Sequence, residues 1–447
     1  MKDHPDRNNP EKITLVRAAA VADERGILAR PGCVLLARRD SLADVVVLDV
    51  AERIDPPPGS SVLDRRDDIL IPGLVNAHCH LDLTAVGPRP RPKEGGFTAW
   101  LAMLRDLRPQ TTEAIADSVR RGIELSLAGG VVAVGDIAGS VRSGPTPVPW
   151  RVLRQSPLLG VSFLEFFSFG RNAKPGLDAI RRTLEQAGPD HAMLGLQPHA
   201  PYSVNRSGYE WAVGQADRLG LPVSTHLAES EEEVELIARG TGRQRVFLEQ
   251  LGIWDDHELA SIGRGLHPVK HLEGVLERRP WVLAHVNHCT DEAIAVLART
   301  RASVVFCPRA WRYFGFDRRV GPHRYRAMMA QGVRVCLGTD SMVNLPPGSD
   351  SACGGRLSVL DEARALRRAG DDVDSGTLLQ MMTTAGAAAL GLDEASFRFS
   401  PGHPIAGVVA VRTGPDDPLE ALFVGDAAPE LLFAPSGRRA QVRSTSP

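Results

Sequence analysis

The run ILIPGLVNAHCHLD, residues 69–82, decides how the chain is read. A short apolar stretch ends in His78 and His80, and in a strand residues i and i+2 project to the same side. Both imidazoles therefore face one point at the polar end of a buried strand. That suits the start of a divalent-metal site, which takes its remaining ligands from elsewhere in the chain. Taken alone, H-x-H is more often a solvated pair, so its meaning depends on the ends of the later strands. Cys79 points to the other side of the strand and is read as packing.

Upstream lie short β-type runs, ITLVRAAAVA (13–22), CVLLARR (33–39) and ADVVVLDV (43–50). AGVVAVRTG, LEALFVG and PELLFAPSG near the other end have the same character, so the two ends are expected to share one sheet. Between them, strand candidates fall at 69–78, 129–138, 158–167, 192–200, 221–229, 280–288, 302–309 and 333–341. The intervening segments, such as TEAIADSVRRGIELSLAGG and DEAIAVLART, carry apolar residues at helical spacing. Eight strands each followed by a helix imply an α/β fold, a (β/α)8 barrel. The stretches 86–97, 139–149 and 342–356 read as long loops at the barrel mouth.

Polar residues recur at the expected C-terminal strand ends, where barrels of this kind keep their reactive groups. Strand one ends in His78 and His80, strand four in His199, strand five in His226 and Glu229, strand six in His285 and strand eight in Asp340. Each has an ordinary reading singly; together they point to one site. The acidic run after Glu229, residues 231–235, is expected to be solvated.

Composition bounds the rest. The chain has 447 residues, 43% hydrophobic and 24% charged, the proportions of an ordinary globular protein. A formal net charge of -2 gives no global attraction to nucleic acid or an anionic membrane. No apolar run is long enough for a membrane span, and the N-terminus lacks the apolar core of a signal peptide. The six cysteines show no C-x-x-C spacing, so neither a disulfide framework nor a thiolate zinc site is indicated. The expectation is a cytoplasmic enzyme of a small molecule, with no nucleic-acid or membrane partner and compatible with a homo-oligomer.

In order, PGLVNAHCHLD, QPHAPYSV, STHLAESEEE, LAHVNHCTDEAIAVLA, VVFCPR and GVRVCLGTDS resemble the successive motifs of the amidohydrolase superfamily. The nearest branch is the chlorohydrolase and aminohydrolase group, with its cytosine, guanine and S-adenosylhomocysteine deaminases. The resemblance implies a distorted (β/α)8 TIM barrel (69–398) with a small β-sandwich built from both chain ends (12–68 and 399–435), leaving a disordered leader (1–11) and tail (436–447).

Carried residue by residue, the resemblance makes His78, His80, His226 and Asp340 the ligands of one divalent ion, Zn2+ or Fe2+. Glu229 becomes the proton shuttle, and His285 with Asp340 stabilises developing negative charge. Binuclear relatives carry a bridging Lys on strand four. His199 stands here instead, which implies a single ion and a substrate contact for His199. Trp100 of F-T-A-W, Glu165 and Arg309 are the further candidate substrate contacts. H-L-D, F-T-A-W and C-P-R-x-x-x-Y-F-G together look most like aminodeoxyfutalosine deaminases.

The leading expectation is thus a metal-dependent aminohydrolase releasing ammonia from a purine-type substrate, such as aminodeoxyfutalosine or another adenine nucleoside. The alternatives are a chlorohydrolase or cyclic amidase of the same superfamily, and a catalytically inactive barrel serving as a ligand-binding or scaffold protein.

Overall fold

A computed structural model describes residues 12–38, 45–345 and 355–435. The expected leader 1–11, the tail 436–447 and most of the loop 342–356 lie outside the described residues. Strands β1 (Lys12–Asp23), β2 (Gly26–Ala29), β3 (Gly32–Arg38), β4 (Val45–Ala51) and β5 (Ser61–Pro72) come first. Then follow β6 (Leu74–Cys79), β7 (Val131–Ala138), β8 (Leu159–Phe166), β9 (Leu194–Pro198), β10 (Ser224–Leu227), β11 (Val282–His285), β12 (Ser303–Phe306) and β13 (Arg334–Leu337). Strands β14 (Pro404–Ile405), β15 (Val408–Arg412) and β16 (Pro429–Phe433) complete the set.

Strands β6 to β9 and β10 to β13 form two parallel four-stranded sheets in sequential order. Bridges from Leu196 to Val223 and from Cys79 to Asp340 join them at both edges and close the ring. This is the expected (β/α)8 barrel. Helices cover the outer face of such strands and the barrel interior the inner one, which is why every residue of β7 is buried and its sequence is apolar but for Gly135 and Asp136. The helices Thr112–Ala128, Arg206–Leu219 and Asp291–Arg299 begin at Thr111, Asn205 and Thr290, whose side chains accept hydrogen bonds from the first-turn amides.

The two chain ends share one sheet, in the order β14-β4-β3-β1-β5-β15-β16 with β2 on β1. Only Ala406 and Gly407 separate β14 from β15 in the chain, a link of about 11 Å at most. In a flat sheet their positions, five strand steps apart, would be separated by about 24 Å. The sheet therefore curls over until its ends meet. Leu70, Val408 and Ala410 point into the core inside that curl, with Val16, Val34 and Val47. Ile69, Ile71, Val409 and Val411 point the other way, into the barrel's apolar core. The period of two thus lets β5 and β15 serve two cores at once.

This divides the opening stretch. Ile69–Pro72 belongs to the curled sheet, paired with β15, and the barrel strand begins only at Leu74. The hand-over is at Gly73, where an added Cβ would lie 2.5 Å from a Val132 methyl carbon. Strands β10, β11 and β13 are also shorter than their apolar runs. Left-handed backbone follows or ends each of them: Ala228 (φ 49°), His285 (φ 73°) with Val286 (φ 49°), and Asp340 (φ 57°). Such conformations are costly for residues with a side chain, most of all for β-branched valine. They fall at the strand ends that carry the candidate site residues.

Candidate active site

His78 and His80 stand at the end of β6, as their spacing implies. Across the ring seam, His80 N donates to Asp340 O (2.8 Å) and Asp340 N to His78 O (3.1 Å). Asn76, two residues before His78, bonds Thr339 through both ends of its amide, at 2.8 and 3.0 Å. The seam between β6 and β13 is therefore what brings His78, His80 and Asp340 to one point. The other seam does the same for His226, whose backbone N donates to His199 O at 2.9 Å.

The side chains converge. His78 Nε2 and His80 Nε2 lie 3.6 and 3.5 Å from Asp340 Oδ1, and His80 Nε2 lies 3.4 Å from His226 Nε2. His226 Nδ1–H donates to His199 O (3.0 Å), so its Nε2 offers a lone pair to the cluster. Asn344 donates to the other carboxylate oxygen of Asp340 and fixes its orientation. Burial pushes the His78 imidazolium pKa down to about 3, and burial also holds His80, His226 and His285 well below the usual histidine range. The rings are neutral.

Neutral lone pairs that face each other at this separation need a cation between them. Two ligands about 2.1 Å from one ion in tetrahedral arrangement are about 3.4 Å apart. The donor set of three imidazoles and one carboxylate matches, and among the described residues neither nitrogen of the fully buried His78 has a hydrogen-bond partner. The residues present fit a divalent metal.

Glu229 lies just beyond β10, 4% exposed, with Oε1 3.4 Å from His285 Nε2. Burial, and after it the Asp340 carboxylate, raise its pKa well above the carboxylate range. Its backbone is held independently of its side chain: Glu229 N donates to Glu233 (2.9 Å) and Asn287 donates to Glu229 O (3.1 Å). His285 is fixed in turn by His323, which stacks on Phe306 at 3.9 Å and donates from Nε2 to His285 O at 3.0 Å.

A cavity of about 400 Å³ opens over this cluster, reached by His80, His226, Glu229 and Asp340 at its floor. Trp100, Leu101 and Leu104 of the helix Gly96–Leu107 form one wall, and Phe247, Leu248 and Leu251 another. His199 and Glu165 line it too. Glu165 already accepts from Ser140 N (3.1 Å) and Arg108 Nη1 (3.4 Å), while Oε1 stands 3.8 Å from His199 Nε2.

A family model described as the amidohydrolase family matches residues 69–404. The chain belongs to the amidohydrolase family. Its members are metal-dependent hydrolases, and the class of activity is hydrolysis at a carbon–nitrogen bond. The chain is 28% identical over 375 residues to a 5-methylthioadenosine/S-adenosylhomocysteine deaminase of Haloarcula marismortui, covering 80% of this chain and 76% of that one. It is 28% identical over 349 residues to an aminodeoxyfutalosine deaminase of Deinococcus radiodurans, covering 73% and 75%. A zinc-bound adenosine deaminase of Xanthomonas campestris superposes with a TM-score of 0.64 at 21% identity, covering 94% of this chain and 90% of that one.

Within this amidohydrolase site, two expectations need correction. Arg309 does not line the cavity. Its Nε pairs with Glu362 at 2.5 Å and its backbone N donates to the same carboxylate at 2.8 Å, so the expected substrate contact is a buried ion pair instead. Replacing Arg309 with Met leaves the fully buried Glu362 uncompensated. It is expected to cost about 3 kcal/mol of stability in chemical denaturation, with KM of the folded fraction unchanged. A raised KM at unchanged stability would restore Arg309 to the site.

The acidic run is solvated only in part: Glu231 is exposed, as expected, but its two successors are not. Glu232 and Glu233 are 8% and 0% exposed. Glu233 accepts from Ala228 N (2.8 Å) and Glu229 N, and burial pushes its pKa up to about 8. Glu232 accepts from Phe97 N at 3.1 Å and so pins the start of the cavity-wall helix.

Arg108 is the main residue that sequence reasoning misses. Its guanidinium sits between Asp82 and Glu165, 3.4 Å from each, and ties the cavity-wall helix to barrel strands one and three. The signal that could have found it is a basic residue ending a helix that faces two buried carboxylates. Phe97 packs behind Trp100 against Phe314 (5.3 Å), and Trp100 meets the same ring at 5.0 Å. The Y-F-G segment therefore supports the wall through Phe314. The five described cysteines are unpaired, and Cys79 is fully buried in the barrel core. Among the described residues no helix is long and apolar enough to cross a membrane.

Proposed function

We propose that the protein is a mononuclear metal-dependent aminohydrolase that removes the 6-amino group of an adenine nucleoside. The observation that carries this reading is the close approach of His78 and His80 to Asp340 and of His80 to His226, with the buried Glu229 beside them and no lysine on barrel strand four. His78, His80, His226 and Asp340 would hold the ion, with Zn2+ suited to a set of three nitrogens and one carboxylate. Bound there, it supplies a Lewis acid that makes water nucleophilic near neutral pH.

The chain's own groups do the remaining work. Glu229 takes a proton from the attacking water and returns it to the ring nitrogen and the departing ammonia. His285, held by its backbone to His323, and Asp340 stabilise the charge that develops as water adds to the ring carbon. Trp100, Leu104 and Phe247 offer the apolar walls an aromatic base needs, and His199 and Glu165 offer polar contacts at its edge. The names of the two relatives, both deaminases of adenine-bearing nucleosides, support the same substrate class.

The test is a panel of adenosine, 5-methylthioadenosine, S-adenosylhomocysteine and aminodeoxyfutalosine, followed by ammonia release and the ultraviolet change on deamination. Chlorinated and alkylamino triazines serve as the contrasting arm. Release of chloride or alkylamine, with no ammonia from any nucleoside, would show the reading to be wrong.

A further inference from the structure

Arg108 reaches the cavity from the end of the helix Gly96–Leu107, and Gly139 is what admits it. A Cβ on Gly139 would lie 1.6 Å from Arg108 Nη1 and 2.4 Å from its Cζ, so a side chain there would displace the guanidinium. The protein uses one side of that guanidinium only. Nη1 donates to Ser140 O (3.3 Å) and Glu165 Oε2 (3.4 Å) and stands 3.4 Å from Asp82 Oδ2. Nε and Nη2 have no hydrogen-bond partner among the described residues, yet protein does not enclose them: the side chain is 11% exposed and lines the cavity. Glu165, at the end of β8, is half used as well. Its Oε2 takes the bonds from Ser140 N and Arg108, while Oε1 accepts none among the described residues and is likewise not enclosed. Its carboxylate lies within 4.8 Å of a ring nitrogen of His199 and of His226, which fixes the pair's place beside the histidine cluster.

We propose that Arg108 and Glu165 together determine specificity for the sugar, holding the 2' and 3' hydroxyls of the ribose: a hydroxyl donates to Glu165 Oε1, and the pair accepts from Arg108 Nε or Nη2. This rests on the adenine-nucleoside reading above. In such a nucleoside the 6-amino group is the only donor on the base, and it belongs at the cluster with Glu229. An acceptor such as Oε1 therefore finds its donor on the sugar. A polar contact from Glu165 at the edge of the base is thus a contact to the sugar attached there. Hydroxyls also accept, which meets the open N–H groups of the guanidinium. Only the 2' and 3' hydroxyls are neighbours on the ring, close enough to share two groups that are themselves 3.4 Å apart. An anionic substituent does not suit the pair, because Asp82 and Glu165 already flank the one cation and would repel a third negative charge.

The experiment measures kcat/KM for adenosine, its 2'-deoxy, 3'-deoxy and 5'-deoxy analogues and S-adenosylhomocysteine, with wild type, Glu165→Gln and Arg108→Lys. Wild type is expected to prefer adenosine by about tenfold or more over the 2'- and 3'-deoxy analogues, and to treat 5'-deoxyadenosine within about threefold of adenosine. In Glu165→Gln the amide oxygen keeps the bonds from Ser140 and Arg108, so the amide nitrogen takes the place of Oε1 and a donor meets a donor. The preference should then fall to within about threefold through loss of activity on adenosine. Arg108→Lys, with one nitrogen for the tasks of three, should reduce it too. Equal loss on every substrate in both variants would mean that the pair only supports the cavity wall, and would overturn the assignment while leaving the deaminase reading intact. A wild type that accepts both deoxy analogues as well as adenosine would do the same. A preference for S-adenosylhomocysteine that vanishes in Arg108→Lys, with the deoxy ratios unchanged, would give Arg108 to an anion and overturn the assignment. Should Arg108→Lys not fold, Glu165→Gln decides alone. No ammonia from any adenine nucleoside with wild type would overturn the deaminase reading, and this inference with it.

Discussion

Glu229→Gln is expected to lower kcat/KM by about 10³-fold while metal content and melting temperature stay near those of wild type. General acid–base groups of this kind contribute about 10²- to 10⁴-fold. The substitution keeps the shape of the side chain and removes its ability to carry a proton. The fold around it does not depend on the carboxylate, because Glu233 and Asn287 hold the backbone on either side. Loss in kcat with little change in KM would place the defect in the chemical step. Steady-state kinetics, metal analysis and a thermal melt on the same preparation decide the matter, and activity within tenfold of wild type would remove Glu229 from the mechanism.

Metal removal is the second large effect. Dialysis against a chelator is expected to abolish turnover and to lower the melting temperature, with both restored by one equivalent of Zn2+. The thermal shift follows from linkage: an ion that binds only the folded chain, present at about 1,000 times its dissociation constant, stabilises by about 4 kcal/mol. His78→Ala is the matching variant. His78 is fully buried with both ring nitrogens unpartnered among the described residues, so the substitution removes a proposed ligand without breaking a hydrogen bond there. It should bind less than half an equivalent of metal and lose at least about 10³-fold in activity. Stoichiometric metal in that variant, together with a melt insensitive to chelator, would show that the histidine cluster is not the metal site.

Several parts of this site are legible in the sequence. His78, His80, His226, Glu229, His285 and Asp340 stand at the ends of apolar runs, and the C-terminal end of a barrel strand is a place set by the period-two pattern and the strand count. Arg309 is misleading because nothing local marks it: Glu362, far along the chain, pairs its guanidinium inside the protein. The run 231–235 misleads for the reverse reason. Four glutamates in a row of five look solvated, yet Ser230 caps a helix there that turns Glu233 under the site and Glu232 against the cavity-wall helix. Charge density is a property of sequence, whereas burial of a charge depends on which amides it meets.

The sequence by itself determined the barrel, the order of its strands and the residues at their ends, because strand periodicity and apolar runs are local properties. Only the tertiary structure decided that the two seams of the ring pass through the site, joining His80 to Asp340 and His199 to His226. It alone showed that β5 carries Ile69–Pro72 into the curled sheet and that Arg108 bridges Asp82 and Glu165. Each of these depends on partners distant in the chain. Hydrogen bonds and ion pairs are short-ranged, so such pairings exist only once closure of the barrel has fixed which strand ends meet.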